Sequence, residues 1–79
     1  MKKIEVLNRL GVALGLSEGE LTITDTKDSV SNWDSIGHLN LLSELEAMFG
    51  EIVDDKSVRS FTSIRELMNI LSDRNLVEE

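Results

Sequence analysis

The sequence predicts an all-α fold: a small four-helix bundle, three main helices plus a short third helix, with a long loop between helices 1 and 2. Three observations predict it. Apolar residues recur at helical spacing in three separate segments. Ser, Thr, Asp, Asn and Gly crowd the stretch between the first two of these segments. The one strand-like run, Ile23 to Asp28, has no second strand to pair with. Seventy-nine residues make one domain, residues 1–79, with a modest core.

The first helix is expected from Lys3 to Leu14. Ile4, Leu7, Leu10 and Leu14 fall on one face, with Val6 and Ala13 beside it. Gly11 weakens this helix, and Gly15 is placed to stop it. From Leu16 to Trp33 no period is sustained, which gives a loop long for a compact domain. Leu16, Leu21, Ile23, Val30 and Trp33 are the side chains expected to fasten that loop over the helices.

The second helix is expected from Ser35 to Phe49. Asp34 and Ser35 are both good N-cap residues, because a side-chain oxygen can accept from a backbone N–H that lacks a partner. Projected at about 100° per residue, Leu41, Leu42, Leu45 and Phe49 form one stripe, with Met48 at its margin. Ile36, Leu39, Asn40, Ser43 and Ala47 lie on the far side, flanked by Glu44 and Glu46. A small apolar patch with an acidic rim suits a transient partner. His38 lies close to the core stripe and reads as a packing residue rather than a base, since no triad partner accompanies it.

Gly50 stops the second helix, and Ile52 and Val53 are expected to be buried. Asp54 or Asp55 caps a brief helical turn running through Val58 toward Phe61. This acidic pair lacks the spacing of a calcium loop. The last helix runs from Thr62 to Asp73, with Ser63 and Glu66 as a capping box and Ile64, Leu67, Met68 and Leu71 as its buried face. Arg74 to Glu79 reads as a polar tail.

Composition narrows the function. There is no cysteine, hence no disulfide, no thiolate ligand and no cysteine nucleophile. One histidine leaves a structural zinc site without ligands. No apolar run approaches a membrane span and no secretory h-region is evident, so the expected compartment is the cytoplasm. Net charge is −7. Asp28 to Asp55 holds seven acids and no Lys or Arg, while the rest of the chain carries eight of each sign. Such a segment repels nucleic acid and steers a partner with a basic patch toward itself.

The most informative stretch is Asn32-Trp33-Asp34-Ser35-Ile36-Gly37-His38-Leu39. It puts a hydroxyl at a helix N-terminus, where partial positive charge and free N–H groups favour an attached phosphate. Asp34-Ser35-Ile36 resembles the Asp-Ser-Leu signature of acyl carrier proteins, whose serine carries 4′-phosphopantetheine. Trp33 to Leu39 looks like the variant found in some stand-alone carriers. Gly15 to Thr22 is similar to the way the family begins its first loop. Glu44-Leu45-Glu46-Ala47-Met48-Phe49-Gly50 resembles the end of its second helix. The resemblance extends from Ile4 to Leu71.

That resemblance implies a monomeric, non-enzymatic carrier. A phosphopantetheinyl transferase would modify Ser35 from coenzyme A, with Asp34 helping to position the serine. The arm's thiol would hold acyl or aminoacyl groups as thioesters for fatty-acid, polyketide or related biosynthesis. Ile36, Leu39, Asn40, Ser43, Glu44 and Glu46 would meet the loading and transferring enzymes, and the core would open to shelter an acyl chain. Asn40 stands where many fatty-acid carriers have an acid, and Ser43 replaces a larger apolar residue. Two other classes compete. One is an unmodified helical adaptor that binds a basic partner through the acidic second helix. The other is a small hydrolase using Ser35 and His38, which lacks an orienting third group and an evident oxyanion hole.

Overall fold

The computed structural model describes residues 1–50 and 54–78. These form four helices: α1 (Lys3–Ala13), α2 (Ser35–Phe49), α3 (Lys56–Arg59) and α4 (Ile64–Asp73). No strand occurs among the described residues, only two isolated bridges. The all-helical expectation holds, with α1 and α2 bounded within a residue of where the sequence placed them. The proposed burial of Ile52 and Val53 falls outside the described residues.

Each helix end has an identifiable cause. At the end of α1, Gly15 takes φ 77°. Its N–H donates to Val12 O at 2.9 Å, and the Leu16 N–H donates to Gly11 O at 2.8 Å. This pair of bonds satisfies carbonyls that the helix leaves open and folds Leu16 back onto it. Gly50 ends α2 at φ 74°, donating to Glu46 O at 2.8 Å. The Asp55 carboxylate caps α3 by accepting from Ser57 N–H at 2.8 Å. Helix α4 begins two residues later than expected, because Thr62 and Ser63 act as its cap. Ser63 Oγ accepts from Glu66 N–H at 3.1 Å, and Glu66 Oε1 accepts from Thr62 N–H at 2.8 Å. The capping box therefore forms with its return bond one residue early.

The core joins Val6, Leu10 and Leu14 of the α1 arm to Leu41 and Leu45 of α2. Val58 of α3 and Ile64, Leu67, Met68 and Leu71 of α4 complete its helical part. The connecting segments add Leu21, Val30, Trp33 and Phe61. Ile4 corrects the expected face of α1: it is 56% exposed, and Val6 is buried instead. Two apolar arcs overlap at Leu10 and Leu14, and packing of α1 on α2 selects the one through Val6. Ile23 is also exposed rather than fastened. It sits at the tip of a turn in which Asp25 Oδ2 accepts from Thr22 N–H at 2.9 Å and Asp25 N–H donates to Thr22 O at 3.0 Å.

That turn is one of four in a row along the α1–α2 loop. Ser17 to Glu20, Thr22 to Asp25, Thr26 to Ser29 and Val30 to Trp33 each close by a backbone bond of 3.0–3.1 Å. In the first three, the closing side chain also accepts from the N–H of the opening residue. The loop is then tied to the start of α4, where Ile64 N–H donates to Asp25 O at 3.0 Å and Lys27 N–H donates to Thr62 O at 2.9 Å. The polar tail is likewise held. Asn75 takes φ 58° and Leu76 N–H donates to Leu71 O at 3.0 Å, the same stop as at Gly15. Beyond it, Lys3 N–H donates to Glu78 O at 2.9 Å, and Leu76 and Val77 pack on the core.

Asp55 also pairs with Arg74 beyond α4, so the short α3 is anchored by one carboxylate. The bond from the Ser57 N–H, with help from Arg74, holds this carboxyl below its usual value of 3.8. A depressed folded-state value means that the stabilisation is complete above the ordinary carboxylate range. It is lost as pH falls through the lower folded value. Amide exchange in Lys56–Arg59 should therefore become less protected below that range. In Asp55→Asn, which keeps a capping oxygen but no charge, this acid step should be absent when the two proteins are compared by NMR. An identical acid step in both would show that Asp55 does not anchor α3.

Candidate functional site

Of the two possible caps at the start of α2, Asp34 is the one used. Its Oδ1 accepts from Gly37 N–H at 2.8 Å, and its carbonyl accepts from His38 N–H at 2.8 Å. Ser35 is then the first helical residue. It is exposed, and its hydroxyl has no hydrogen-bond partner among the described residues. The division of labour follows from position. The residue before the helix turns its side chain back over the open N–H groups, whereas the next residue projects outward.

Gly37 has a structural role that the sequence pattern did not isolate. It is buried, and a Cβ built there would lie 2.0 Å from the carbonyl oxygen of Asn32 and 3.2 Å from Leu14 Cδ2. Only a residue without a side chain lets the end of the loop cross this close to α2. The crossing in turn places Asn32 so that its Nδ2 donates to Leu14 O at 3.0 Å. The end of α1, the end of the loop and the start of α2 thus meet beside Ser35.

On the α3 side, Trp33 is 2% exposed, and its Nε1 donates to His38 Nδ1 at 3.0 Å. An indole N–H can only donate, so His38 Nδ1 is the acceptor. The proton of the neutral ring then sits on Nε2, which donates to Arg59 O at 2.8 Å. Phe61 closes the cluster, with ring centroids 4.9 Å from His38 and 5.7 Å from Trp33. Both imidazole nitrogens are thereby committed to Trp33 and Arg59. His38 is a packing residue that links α2 to α3, and it offers Ser35 no free base.

The outer face of α2 carries most of the expected partner-facing residues. Ile36 is 71% and Leu39 60% exposed, and Asn40, Ser43, Ala47 and Glu46 are exposed beside them. Glu44 differs. Its side chain is partly buried and its Oε1 accepts from Arg9 Nε at 2.6 Å, so it binds α2 to α1. Glu46 is the one of the two that has no ion-pair partner among the described residues. No described helix is long and apolar enough to cross a membrane. No family model, curated protein or solved structure matches the chain.

This geometry separates three neighbouring residues by their stability effects in urea denaturation. Asp34→Ala should cost about 1 kcal/mol through loss of the cap. Ser35→Ala should stay within about 0.5 kcal/mol, as for an exposed side chain without partners. Gly37→Ala should lie at or beyond the upper end of the about 1–3 kcal/mol typical of overpacking. Equal losses at Asp34 and Ser35 would refute the assignment of the cap.

Proposed function

We propose that this chain is an acyl carrier protein, a four-helix carrier bundle in which Ser35 bears a 4′-phosphopantetheine arm. The observation that supports it most is the Ser35 hydroxyl itself: exposed, without a protein partner, and at the first position of a helix that Asp34 already caps. It is left to solvent inside an Asp-Ser-Ile motif on the acidic side of the chain.

The residues present fit the group. The Ser35 oxygen is open to attack on the β-phosphorus of coenzyme A. A new O–P bond forms there, the pyrophosphate O–P bond breaks, adenosine bisphosphate leaves, and the hydroxyl proton passes to a base of the transferase. The positive end of α2 favours the phosphodiester so formed. When bound, the arm supplies the thiol that carries an acyl or aminoacyl group as a thioester, so a chain without cysteine can take part in thioester chemistry. The chain's own share is to hold Ser35 at a fixed place and to present Ile36, Leu39 and Glu46 to partners with basic patches. Tethering then raises the effective concentration of cargo at each partner's site. The adaptor reading shares the exposed apolar patch but leaves Ser35 unmodified. The hydrolase reading is disfavoured by His38, whose two nitrogens are occupied.

Intact mass before and after incubation with coenzyme A and a broad-specificity transferase tests the proposal. The wild type should gain one phosphopantetheine and Ser35→Ala none. A folded, unmodified wild type that gains nothing from an active transferase is the adaptor's result. Glu46→Lys should slow the transferase encounter, more at low than at high salt. Glu44→Lys would confound that test by breaking the Arg9 pair. An unchanged rate for Glu46→Lys at low salt would remove Glu46 from the docking surface.

A further inference from the structure

A trough runs between α1 and α2 beside Ser35. Its upper part, about 430 Å³, is lined by Asp34 and Ile36, the two chain neighbours of Ser35, and by Asn40, Val12 and Ala13. Its lower part, about 350 Å³, shares Val12 and Ala13 and ends at the Arg9–Glu44 pair. The trough therefore begins at the residue that takes the arm and follows the helix pair away from it. On its other side, Trp33, His38 and Phe61 pack against one another where α2 meets α3.

We infer that this trough is the resting site of the pantetheine arm, with Val12, Ala13 and Ile36 against its methyl and methylene groups and Asn40 against its amides. The inference rests on the carrier reading above. Val12 and Ile36 are 66% and 71% exposed on opposite walls, an apolar surface left open among the described residues. The Asn40 side chain is exposed and, among the described residues, without a hydrogen-bond partner. A primary amide both donates and accepts, as do the secondary amides of pantetheine. The mouth of the trough lies at the positive end of α2, which suits the phosphodiester, while the walls beyond it carry no unpaired cation that would demand a second phosphate.

The test compares amide NMR spectra of the unmodified and modified protein, and the rate at which iodoacetamide alkylates the arm's thiol. On modification, the amides of Val12, Ala13 and Asn40 should shift along with those around Ser35. An arm docked for half of the time reacts at about half the rate of a free one, so Val12→Ser should speed alkylation about twofold. Ile4→Ser, an exposed apolar change on α1 outside the trough, should leave the rate unchanged. Shifts confined to residues 33–38, with equal alkylation rates in wild type and Val12→Ser, would overturn the trough while leaving the carrier reading intact. Failure of Ser35 to gain the arm at all, read from intact mass, would overturn both.

Discussion

An indole N–H cannot be buried without an acceptor, and the arrangement around α2 follows from meeting that requirement. Trp33 is among the largest side chains in the core and is almost fully buried. His38, one turn into α2, supplies the acceptor, which fixes the tautomer and obliges the other nitrogen to find a carbonyl. That carbonyl belongs to Arg59 at the end of α3. A four-residue helix has little stability of its own, so this bond and the Asp55 pair with Arg74 do much to hold α3 against the rest. Trp33 also precedes Asp34 directly, so seating the indole fixes the residue that caps α2. Ser35 takes part in none of these bonds, and its side chain is left exposed.

The acids of the middle segment are used in a way that charge counting alone does not show. The stretch Asp28 to Asp55 contains no cation of its own. Among the described residues, folding sets Arg9 of α1 against Glu44 and Arg74 from beyond α4 against Asp55. Asp34 and Asp55 spend their oxygens on backbone N–H groups. The formal charge is unchanged by capping, but its spatial distribution is narrowed. Long-range steering of a basic partner survives such local pairing, because it depends on net charge rather than on any one contact.

The sequence showed the helices where a single apolar arc was available and failed where two competed. In α4, Ile64, Leu67, Met68 and Leu71 leave no second choice, and all four are buried. In α1 the arcs through Ile4 and through Val6 share Leu10 and Leu14, and only contact with α2 decides between them. The internal order of the loop is not carried by an apolar period. Its signal is instead a polar one: Ser17 and Glu20, Thr22 and Asp25, Thr26 and Ser29 repeat the three-residue offset of a capping box without a helix behind it. Arg74-Asn75-Leu76 ends α4 as Leu14-Gly15-Leu16 ends α1, and asparagine in place of glycine concealed the match. At the site, Ser35, Ile36 and Leu39 were legible from helix phase. Gly37 was not, since what it accommodates is the Asn32 carbonyl, a backbone atom that no residue pattern reports. Nor was the Glu44 pair, whose partner lies 35 residues away.

The cluster of Trp33, His38 and Phe61 limits what the interior can hold. A guest lodged between α2 and α3 would have to displace the packing of Trp33 and Phe61, contacts of the kind that cost about 3–5 kcal/mol to lose. That is a large share of the roughly 5–15 kcal/mol that holds a domain together, and a core of this size belongs at the low end. Each methylene moved from water into the core returns about 0.8 kcal/mol. A guest therefore breaks even only with on the order of five methylenes, and a shorter or more polar cargo gains nothing by entering. What this packing gives the fold is the opposite of an expandable core. It is a serine held in place by Asp34, Gly37 and the Trp33–His38 pair, so that the position of its exposed hydroxyl stays fixed.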